Sequence, residues 1–287
     1  MHRLLSLKAL RPLIPLGAVG IFSLAGITTQ TTASAQLTAV SIPNIGVGSA
    51  PHWGTLVEQN ATLSGTVTGG LAVGGRLTMH PKTSWLCTRT SCPPIPVAFN
   101  VVSQAYTIDA TRWGALTPNM TQHSTPARVE LTGSSRTLDV ARLTSVPTGS
   151  FSVTINAPAT ATVLIEVTPQ AAKFIGHLQA TQLNGVHTDH LLWDFGSVTS
   201  LILGSQSFVG TVLAPQALVT LPALVAGDLF AKDLQSHQAV VIHDLTNGFT
   251  GSLPQYPITA DRATVVIPNA RASRSATTGG PAHITAP

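Results

Sequence analysis

Two acidic residues give the chain its clearest opportunity for chemistry. Glu166 and Asp194 each lie in a short apolar run, TVLIEV and LLWDF, of the kind that forms buried strands. If the two strands face each other, the acids would form a carboxylate pair of the type that glycoside hydrolases use. A separation of about 5 Å suits a retaining enzyme, and a wider gap suits an inverting one. Alternatively, both acids keep hydrogen bonds to the backbone of their strands, or point to solvent.

A histidine-containing segment is the second candidate. Residues 187–190 read HTDH, and His177 lies upstream. A metal site needs three or four converging ligands, whereas side chains three apart on a strand point to opposite sides. His187 and His190 would therefore diverge on a strand unless the loop curls. We interpret the segment as a surface turn, and we expect no metal or other cofactor. His243 follows an apolar strand and is interpreted as a hydrogen-bonded structural residue.

The sequence contains none of the compact catalytic motifs. It has no nucleophile elbow, P-loop or dinucleotide fingerprint, and the glycine pairs at 69–70 and 74–75 are not followed by the start of a phosphate-binding helix. We interpret these glycines as corners between short strands. These motifs therefore give no support to an enzymatic function.

The two cysteines, Cys87 and Cys92, lie four residues apart in WLCTRTSCPP. In an exported protein this spacing predicts a disulfide that fixes a turn. A loop this small would contribute roughly 2 kcal/mol to stability. A redox or metal function would need a C-x-x-C spacing or further ligands, which the sequence lacks.

The amino-terminal residues predict export. Three basic residues precede a broken apolar run over residues 13–27, and residues 33–35 read ASA. This order predicts a secretory signal peptide over residues 1–35, cleaved between Ala35 and Gln36. The alternative is an uncleaved membrane anchor, although the run is short for a span and no later segment is long enough. We expect a secreted, extracellular protein, and its retention at the cell surface is left open.

The composition favours strands. Only 9% of the residues are charged and 44% are hydrophobic, while exposed helix faces normally use Lys, Glu and Arg. A chain that solvates itself with Thr, Ser and Asn is typical of β structure. The net charge of +4 falls close to zero once the basic leader is removed. Because no Lys/Arg stripe with interleaved aromatic residues occurs, we expect no nucleic-acid partner.

An internal echo indicates the architecture. Residues 63–73, LSGTVTGGLAV, align without gaps with residues 221–231, LPALVAGDLFA. Each segment reads as two short strands bent at glycine, and such strands bury a core only when copies stack above and below them. We predict an all-β chain with a parallel β-helix and irregular insertions; an antiparallel β-sandwich is the alternative. A helix is expected within residues 107–116 or 137–146.

The predicted organisation along the chain has four parts. Residues 1–35 are the signal peptide and residues 36–54 a lead-in segment broken by Gly and Pro. Residues 55–258 form the β domain. Residues 259–287 are rich in Ala, Ser, Thr, Pro and Arg and are expected to be disordered, because they can bury little apolar surface.

Six segments in order resemble choice-of-anchor A domains over roughly residues 55–255. They are GTVTGGLAVGG from residue 65, TVLIEV from 162, LLWDF from 191, GTVLAPQALV from 210, GDLFA from 227, and HD with FTGSLP over residues 243–254. The positions that the resemblance marks as structural are Gly69, Gly74, Gly75, Trp193, Asp194, Phe195, Gly210, Ala214, Pro215, Gly227, His243, Phe249 and Gly251.

The resemblance implies a bacterial surface protein with an adhesive role, in a family of which some members are likened to collagen-binding modules. This chain departs from the family pattern at Glu166 and Asp194, where asparagine is favoured. Residues 270–287 contain no sortase-type motif or apolar span, so covalent anchoring to a cell wall is not expected.

The leading hypothesis is a secreted or cell-surface binding module, non-catalytic, with an extracellular-matrix protein or a glycan as its partner. One alternative is a structural component of the cell envelope or matrix, and another is a carbohydrate-active enzyme that uses Glu166 and Asp194. Ice binding is a weaker variant of the leading hypothesis, because Thr62, Thr66 and Thr68, with Thr78, are spaced too irregularly to form one ladder. The sequence does not indicate an oligomeric state.

Overall fold

The computed structural model describes residues 54–81, 83–86, 99–204, 206–222, 224–236, 240–243, 245 and 248–254. The first strands are β1 Thr55–Val57, β2 Ala61–Leu63, β3 Gly65–Thr68, β4 Leu71–Val73, β5 Leu77–Met79 and β6 Ser84–Leu86. Helix α1 Phe99–Trp113 follows, then β7 Thr121–Thr125, β8 Arg128–Thr132, β9 Leu138–Leu143, β10 Phe151–Asn156 and β11 Thr162–Val167. The remaining elements are α2 Pro169–Ala172, β12 Leu178–Asn184, β13 Leu191–Asp194, β14 Ser200–Ile202, β15 Ser207–Val209, β16 Thr211–Leu221, β17 Leu224–Ala226, β18 Leu229–Ser236 and β19 Val240–His243.

Several predictions fall on residues outside this description. They are the signal peptide with its cleavage between Ala35 and Gln36, the pairing of Cys87 with Cys92, and the tail over residues 259–287. All of these remain predictions. None of the described helices is long and apolar enough to cross a membrane.

The predicted parallel β-helix is confirmed. Strand pairing in the described part of the chain is parallel throughout, with one antiparallel pair, β7 with β8. Because a sandwich is built from antiparallel sheets, this pairing rules out the alternative architecture. Each strand pairs with the strand one turn above or below it, as a solenoid requires.

The stacked strands form three faces. The helix face contains β9, β11, β13, the first part of β16, the first part of β18, β1 and β4, in that order. The open face contains β14, the second parts of β16 and β18, β2 and β5. The third face consists of β8, β10 and β12, followed by β15, β17, β19, β3 and β6.

The first strands and the strands after α1 form opposite ends of the solenoid. Strands β1–β6 form the turns at one end, and the chain then passes through α1 to the other end, where β9 is the last strand of the helix face. From there it winds back until β19 pairs with β3 and β18 pairs with β1. The two segments that echo each other are therefore separated by a single turn, made of β19 and β1.

The helix expectations have mixed outcomes. Residues 107–116 overlap α1, which begins earlier, at Phe99. A helix over residues 137–146 is wrong: this segment contains β9, which pairs in parallel with β11. Its sequence LDVARL is strand-like because its core-facing residues, Ala141 and Leu143, alternate with residues that face α1.

Helix α1 covers the helix face. The outward side chains Leu56, Leu213 and Phe230 are buried in one cluster with Val102 and Tyr106 of α1. Residues 248–254 complete this cover, and the Trp113 indole N–H donates a hydrogen bond to the Pro254 carbonyl at 3.1 Å. The strands of this face are therefore apolar on both sides, since one side contacts the core and the other contacts α1.

Glycine at the corner between the third face and the helix face lets successive turns stack closely. Gly210 lies between β15 and β16 with φ +105°, and Gly227 lies between β17 and β18. A Cβ atom on Gly227 would lie 2.1 Å from the Gly210 carbonyl oxygen, so a side chain would not fit. The echo segment has Gly69 at the equivalent corner, with φ 87°.

Candidate functional site

The structure brings Glu166 and Asp194 side by side. They are register partners in the parallel strands β11 and β13, and Arg142 of β9 is the next partner of Glu166. The row continues across the helix face through Leu213, Phe230, Leu56 and Ala72. We call these seven residues the helix row. Its charged end lies under the carboxyl end of α1, and its apolar end lies under the beginning of α1.

Arg142 neutralises Glu166. Its Nε donates to Glu166 Oε2, and its Nη2 donates to the carbonyl oxygens of Gly114 and, at 3.2 Å, Leu116, just beyond the end of α1. Both side chains are partly exposed, with relative exposures of 33% for Arg142 and 22% for Glu166. Sequence analysis missed Arg142. The available signal was its place in the six-residue strand LDVARL, where it occupies the fifth position, as Glu166 does in TVLIEV.

Asp194 is almost completely covered, with a relative exposure of 1%. Its Oδ1 accepts the backbone N–H of Gly196 at 2.8 Å, whereas its Oδ2 has no hydrogen-bond partner among the described residues. Burial raises the pKa of Asp194 to about 7; the Gly196 hydrogen bond opposes this shift, and the negative charge of Glu166 adds to it. A buried acid with a raised pKa is a recurring feature of catalytic sites, although structural clusters show it too.

A cleft of about 300 Å³ lies beside these acids. The end of α1 forms one wall, and Glu166, Asp194, Ser197 and Gln216 contribute to the rest. The helix packs closely here, because a Cβ atom on Gly196 would lie 2.5 Å from the Cβ of Ala110. The accessible carboxylate in the cleft is therefore that of Glu166, which already pairs with Arg142.

The histidine segment forms a turn, as predicted. Residues Thr188–His190 form a 3-10 turn, which brings the rings of His187 and His190 edge to face with their centroids 5.9 Å apart. Because the loop curls, the divergence that strand geometry would impose does not occur. The Asp189 carboxylate accepts the Thr250 hydroxyl at 2.7 Å. His177 instead contacts the Thr148 carbonyl through Nδ1. No cluster of three His, Cys, Asp or Glu side chains suited to a metal occurs among the described residues.

The marked aromatic residues and the closing segment lie in packed positions. Trp193 and Phe195 are fully buried, and the Trp193 indole donates to the Val209 carbonyl at 2.9 Å. Phe249 lies in the cluster under α1. A Cβ atom on Gly251 would lie 2.5 Å from the Phe249 ring.

The other marked positions lie at turns or within strands. Gly74 and Gly75 stack on the turn after β1, where a Cβ atom would lie 2.2 Å and 2.5 Å from backbone oxygens. Ala214 is buried, and Pro215 follows it where the pairing of β16 with β18 shifts register. His243 ends β19, but its side chain lies outside the described set.

The open face presents a second row of register partners, with the same strand-to-strand spacing as the helix row. Register partners on successive strands are Ile202, Thr220, Gln235, Thr62 and Thr78, which we call the open row. Ile202 is 52% exposed, and Gln235 Nε2 donates to Thr220 Oγ1 at 2.9 Å. Their strand neighbours, such as Leu201, Val219 and Leu234, point into the core.

A parallel row lies two residues upstream. Ser200 pairs with Leu218, which pairs with Asp233, and Leu218 is 38% exposed. Asp233 Oδ1 accepts the backbone N–H of Asn60 at 3.0 Å, and Asn60 Oδ1 accepts the N–H of Arg76 at 3.1 Å. The open face thus combines hydroxyl, amide, aliphatic and charged groups.

The four threonines noted in the sequence do not form one ladder. Thr62 and Thr78 are neighbours in the open row, while Thr66 and Thr68 belong to β3 on the third face. Thr66 Oγ1 lies 3.0 Å from Ser84 Oγ. Threonine therefore occupies three of the five positions in the open row, where isoleucine stands first and glutamine separates Thr220 from Thr62.

Solved structures of ice-binding proteins have similar folds at low sequence identity. LeIBP from an Arctic yeast is 10% identical, with 71% of this chain and 92% of that chain covered and a TM-score of 0.42. The ice-binding protein of the Antarctic ascomycete Antarctomyces psychrotrophicus is 17% identical, with 73% and 100% covered and a TM-score of 0.36. An ice-binding protein from an Antarctic biological consortium is 18% identical, with 72% and 91% covered and a TM-score of 0.35.

The sequence itself matches one family. No curated protein matches the chain. Residues 86–244 match the family described as "Putative Ice-binding-like adhesive domain". Because this match spans more than half of the 287 residues, the chain belongs to the ice-binding-like adhesive domain family.

Proposed function

We propose that the chain is a secreted, non-catalytic adhesive module that binds a glycan or an extracellular-matrix protein along the open face. The open face itself is the observation that carries the proposal. It has exposed aliphatic side chains, Ile202 and Leu218, beside rows of hydroxyl and amide groups. On the helix face, in contrast, α1 covers the corresponding outward positions.

The regular geometry of the open face suits an extended ligand. Parallel strands repeat about every 4.8 Å, so a polymer lying across them meets equivalent groups at each step. The hydroxyl of Thr62 and the amide of Gln235 offer hydrogen bonds to a sugar or a peptide, and Ile202 offers an apolar contact. Asp233 adds a charged group to the parallel row.

An array of glycans and matrix proteins tests the proposal with two matched variants. Ile202→Arg places a bulky cation on the open face, while Gln182→Arg places one at an exposed strand position on the third face. We expect wild type and Gln182→Arg to bind the same ligand, and Ile202→Arg to lose it. Equal binding by both variants would exclude the open face. No binding by wild type would favour a structural role in the envelope or matrix.

Ice binding is the neighbouring interpretation, suggested by the family description and by the names of the solved structures. Glycan or protein adhesion is favoured because Ile202 and Gln235 interrupt the threonines and Asp233 lies in the adjacent row. We expect a solution of the protein to show no gap between its melting and freezing temperatures. A gap that disappears in Ile202→Arg would instead assign the open face to ice.

Export and the finer family assignment belong to the same proposal. We infer that the protein is a choice-of-anchor A-type member exported by cleavage before Gln36. Amino-terminal sequencing of protein from the culture medium should begin at Gln36. Mass mapping without reductant should show Cys87 joined to Cys92. An intact leader or two free thiols would contradict the secretory part of the proposal.

One observation favours a second candidate function, a glycoside hydrolase. Asp194 combines a raised pKa with a place beside Glu166 and a cleft. Against this, Arg142 pairs with Glu166 and Asp194 is nearly inaccessible. Reducing-end release from a polysaccharide panel decides between the two functions. We expect none from wild type; release that is lost in Glu166→Gln or Asp194→Asn would overturn the non-catalytic assignment.

A further inference from the structure

Strand β7 stands apart from the rest of the solenoid. It pairs antiparallel with β8 at one end of a sheet in the order β12, β10, β8, β7. All five of its residues, TQHST, are exposed. In β8, by comparison, Val129 and Leu131 are fully buried. Burial of apolar surface therefore does not account for a strand here, because β7 carries no apolar side chain to bury.

The outer edge of β7 offers backbone hydrogen bonds. Residues 126 and 127 form a two-residue turn, so Thr125 and Arg128 make the hydrogen-bonded pair that closes the hairpin. Hydrogen-bonded pairs alternate along an antiparallel ladder, so the N–H and C=O groups of Gln122 and Ser124 point away from β8. Among the described residues these groups have no backbone partner.

This edge also lacks the usual protection against strand pairing. Natural edge strands often carry lysine, proline, a bulge or an inward-pointing charge. Between Thr121 and Thr125 there is neither a Lys, Arg, Asp or Glu residue nor a proline, and pairing with β8 is regular. An uncharged, regular edge favours addition of another strand.

The sequence of β7 is complementary to itself. Reversed about His123, the order TQHST places Thr121 opposite Thr125, Gln122 opposite Ser124 and His123 opposite its own copy. Cross-strand Thr–Thr and hydroxyl–amide pairs are favourable combinations. Gln122 and Ser124 already reach each other within the strand, where Gln122 Nε2 donates to Ser124 Oγ at 3.0 Å.

We propose that β7 pairs antiparallel with β7 of a second copy of this chain, about a two-fold axis at His123. The register that places Gln122 opposite Ser124 lets their outward backbone groups form the hydrogen-bonded pairs. The contact is small compared with stable interfaces, so the association is weak and transient. Because β7 extends the sheet that contains β8, β10 and β12, away from the open face, pairing leaves the open face free for a ligand. Copies held on two surfaces would then join those surfaces.

Charge variants at the axis test the pairing specifically. In a self-paired strand, His123→Lys and His123→Glu each place like charges directly opposite one another, whereas a mixture of the two variants places opposite charges there. Sedimentation velocity of the full chain over a concentration series measures association. We expect wild type to self-associate, each variant alone to lose at least about tenfold in affinity, and the mixture to recover it.

A matched control adds a negative charge off the axis. Thr125→Glu is on the same side of β7 as His123, but it faces Arg128 in the hairpin and the neutral Thr121 of the second copy, so it should associate nearly as wild type does. In the hairpin, Lys at position 123 would face Glu130, which favours a folded β7, whereas Glu at position 123 would face Glu130 as a like charge. The loss in His123→Lys and its recovery in the mixture therefore carry the test. A wild type that sediments as a monomer at every concentration would overturn the proposal. Association that both His123 variants leave unchanged would overturn it too.

Discussion

The helix row and the open row run across the same solenoid but meet different surroundings. Strand β18 contributes to both, with Phe230 in the helix row and Gln235 in the open row. Phe230 lies under α1, and its ring packs edge-on against the Tyr106 ring with the two ring centroids 4.5 Å apart. Gln235 faces outward and bonds to Thr220. Both rows consist of register partners on parallel strands. The difference in their side chains therefore follows from α1, which covers the helix row and leaves the open row uncovered.

The charged end of the helix row shows what this cover does to polar groups. At the apolar end, α1 buries Leu56 and Phe230 in one hydrophobic cluster with Val102 and Tyr106. At the other end it covers Asp194, whose Oδ2 finds no partner among the described residues, while Glu166 pairs with Arg142. Burial of an unpaired carboxylate is unfavourable, and its raised pKa reflects that penalty.

The largest expected effect comes from removing a covered aromatic ring. Phe230→Ala should lower the free energy of unfolding by about 3 kcal/mol, because it leaves a cavity between β18 and α1. Gln235→Ala, on the same strand, should lower it by less than about 1 kcal/mol, since it removes one partly exposed hydrogen bond. Denaturant titration of both variants measures the difference. Similar losses of unfolding free energy in the two variants would show that α1 does not bury the helix row more than the open row is buried.

The second prediction concerns Asp194. Because its pKa is raised to about 7, the contribution of Asp194 to the stability of wild type is fully present below the unfolded-state pKa and is lost as the pH rises through the folded-state pKa. Asp194→Asn cannot ionise, so its stability relative to wild type should increase by about 2 kcal/mol between about pH 5 and about pH 8. Denaturant midpoints over that range measure it. A pH-independent difference would mean that Asp194 already ionises normally in the fold.

The sequence predicted the strands of the helix face better than it predicted α1, the helix that covers them. The runs TVLIEV and LLWD are mostly apolar, and both strands are buried at nearly every position. Helix α1 was harder to place, because its sequence FNVVSQAYTIDATRW mixes β-branched and polar residues with few strong helix formers. Its helical state depends on packing against the strands.

The sequence also predicted the possible meeting of Glu166 and Asp194, but not what surrounds them. Their pairing follows from two apolar runs in adjacent turns of a solenoid. Arg142 belongs to a turn that sequence reasoning had partly assigned to a helix, so the ion pair was missed. The HTDH segment was predicted as a surface turn, but its sequence does not specify the 3-10 geometry that brings the rings of His187 and His190 together.

The third prediction is a smaller effect at the same end of the helix row. Glu166→Gln should lower stability by about 1 kcal/mol, because the pair with Arg142 is partly exposed and solvent weakens it. Arg142→Met should lower stability by at least as much, because it also removes the bonds to the Gly114 and Leu116 carbonyls. The double variant should lose less than the sum, since the two residues act as one pair. Thermal unfolding of wild type, the two single variants and the double variant gives the double-mutant cycle. Strict additivity would indicate that the ion pair contributes nothing.

The smallest expected change in stability is at the start of the open row. This variant tests most directly whether the open row is uncovered while the helix row is covered. Ile202→Thr keeps a β-branched side chain on β14, and the original side chain is 52% exposed, so little buried surface is lost. The free energy of unfolding should change by less than about 0.5 kcal/mol. A loss comparable to that of Phe230→Ala would show that something outside the described residues covers the open face, which would then not be free to bind. With stability unchanged, any decrease in ligand affinity on the array is attributable to the lost apolar contact alone.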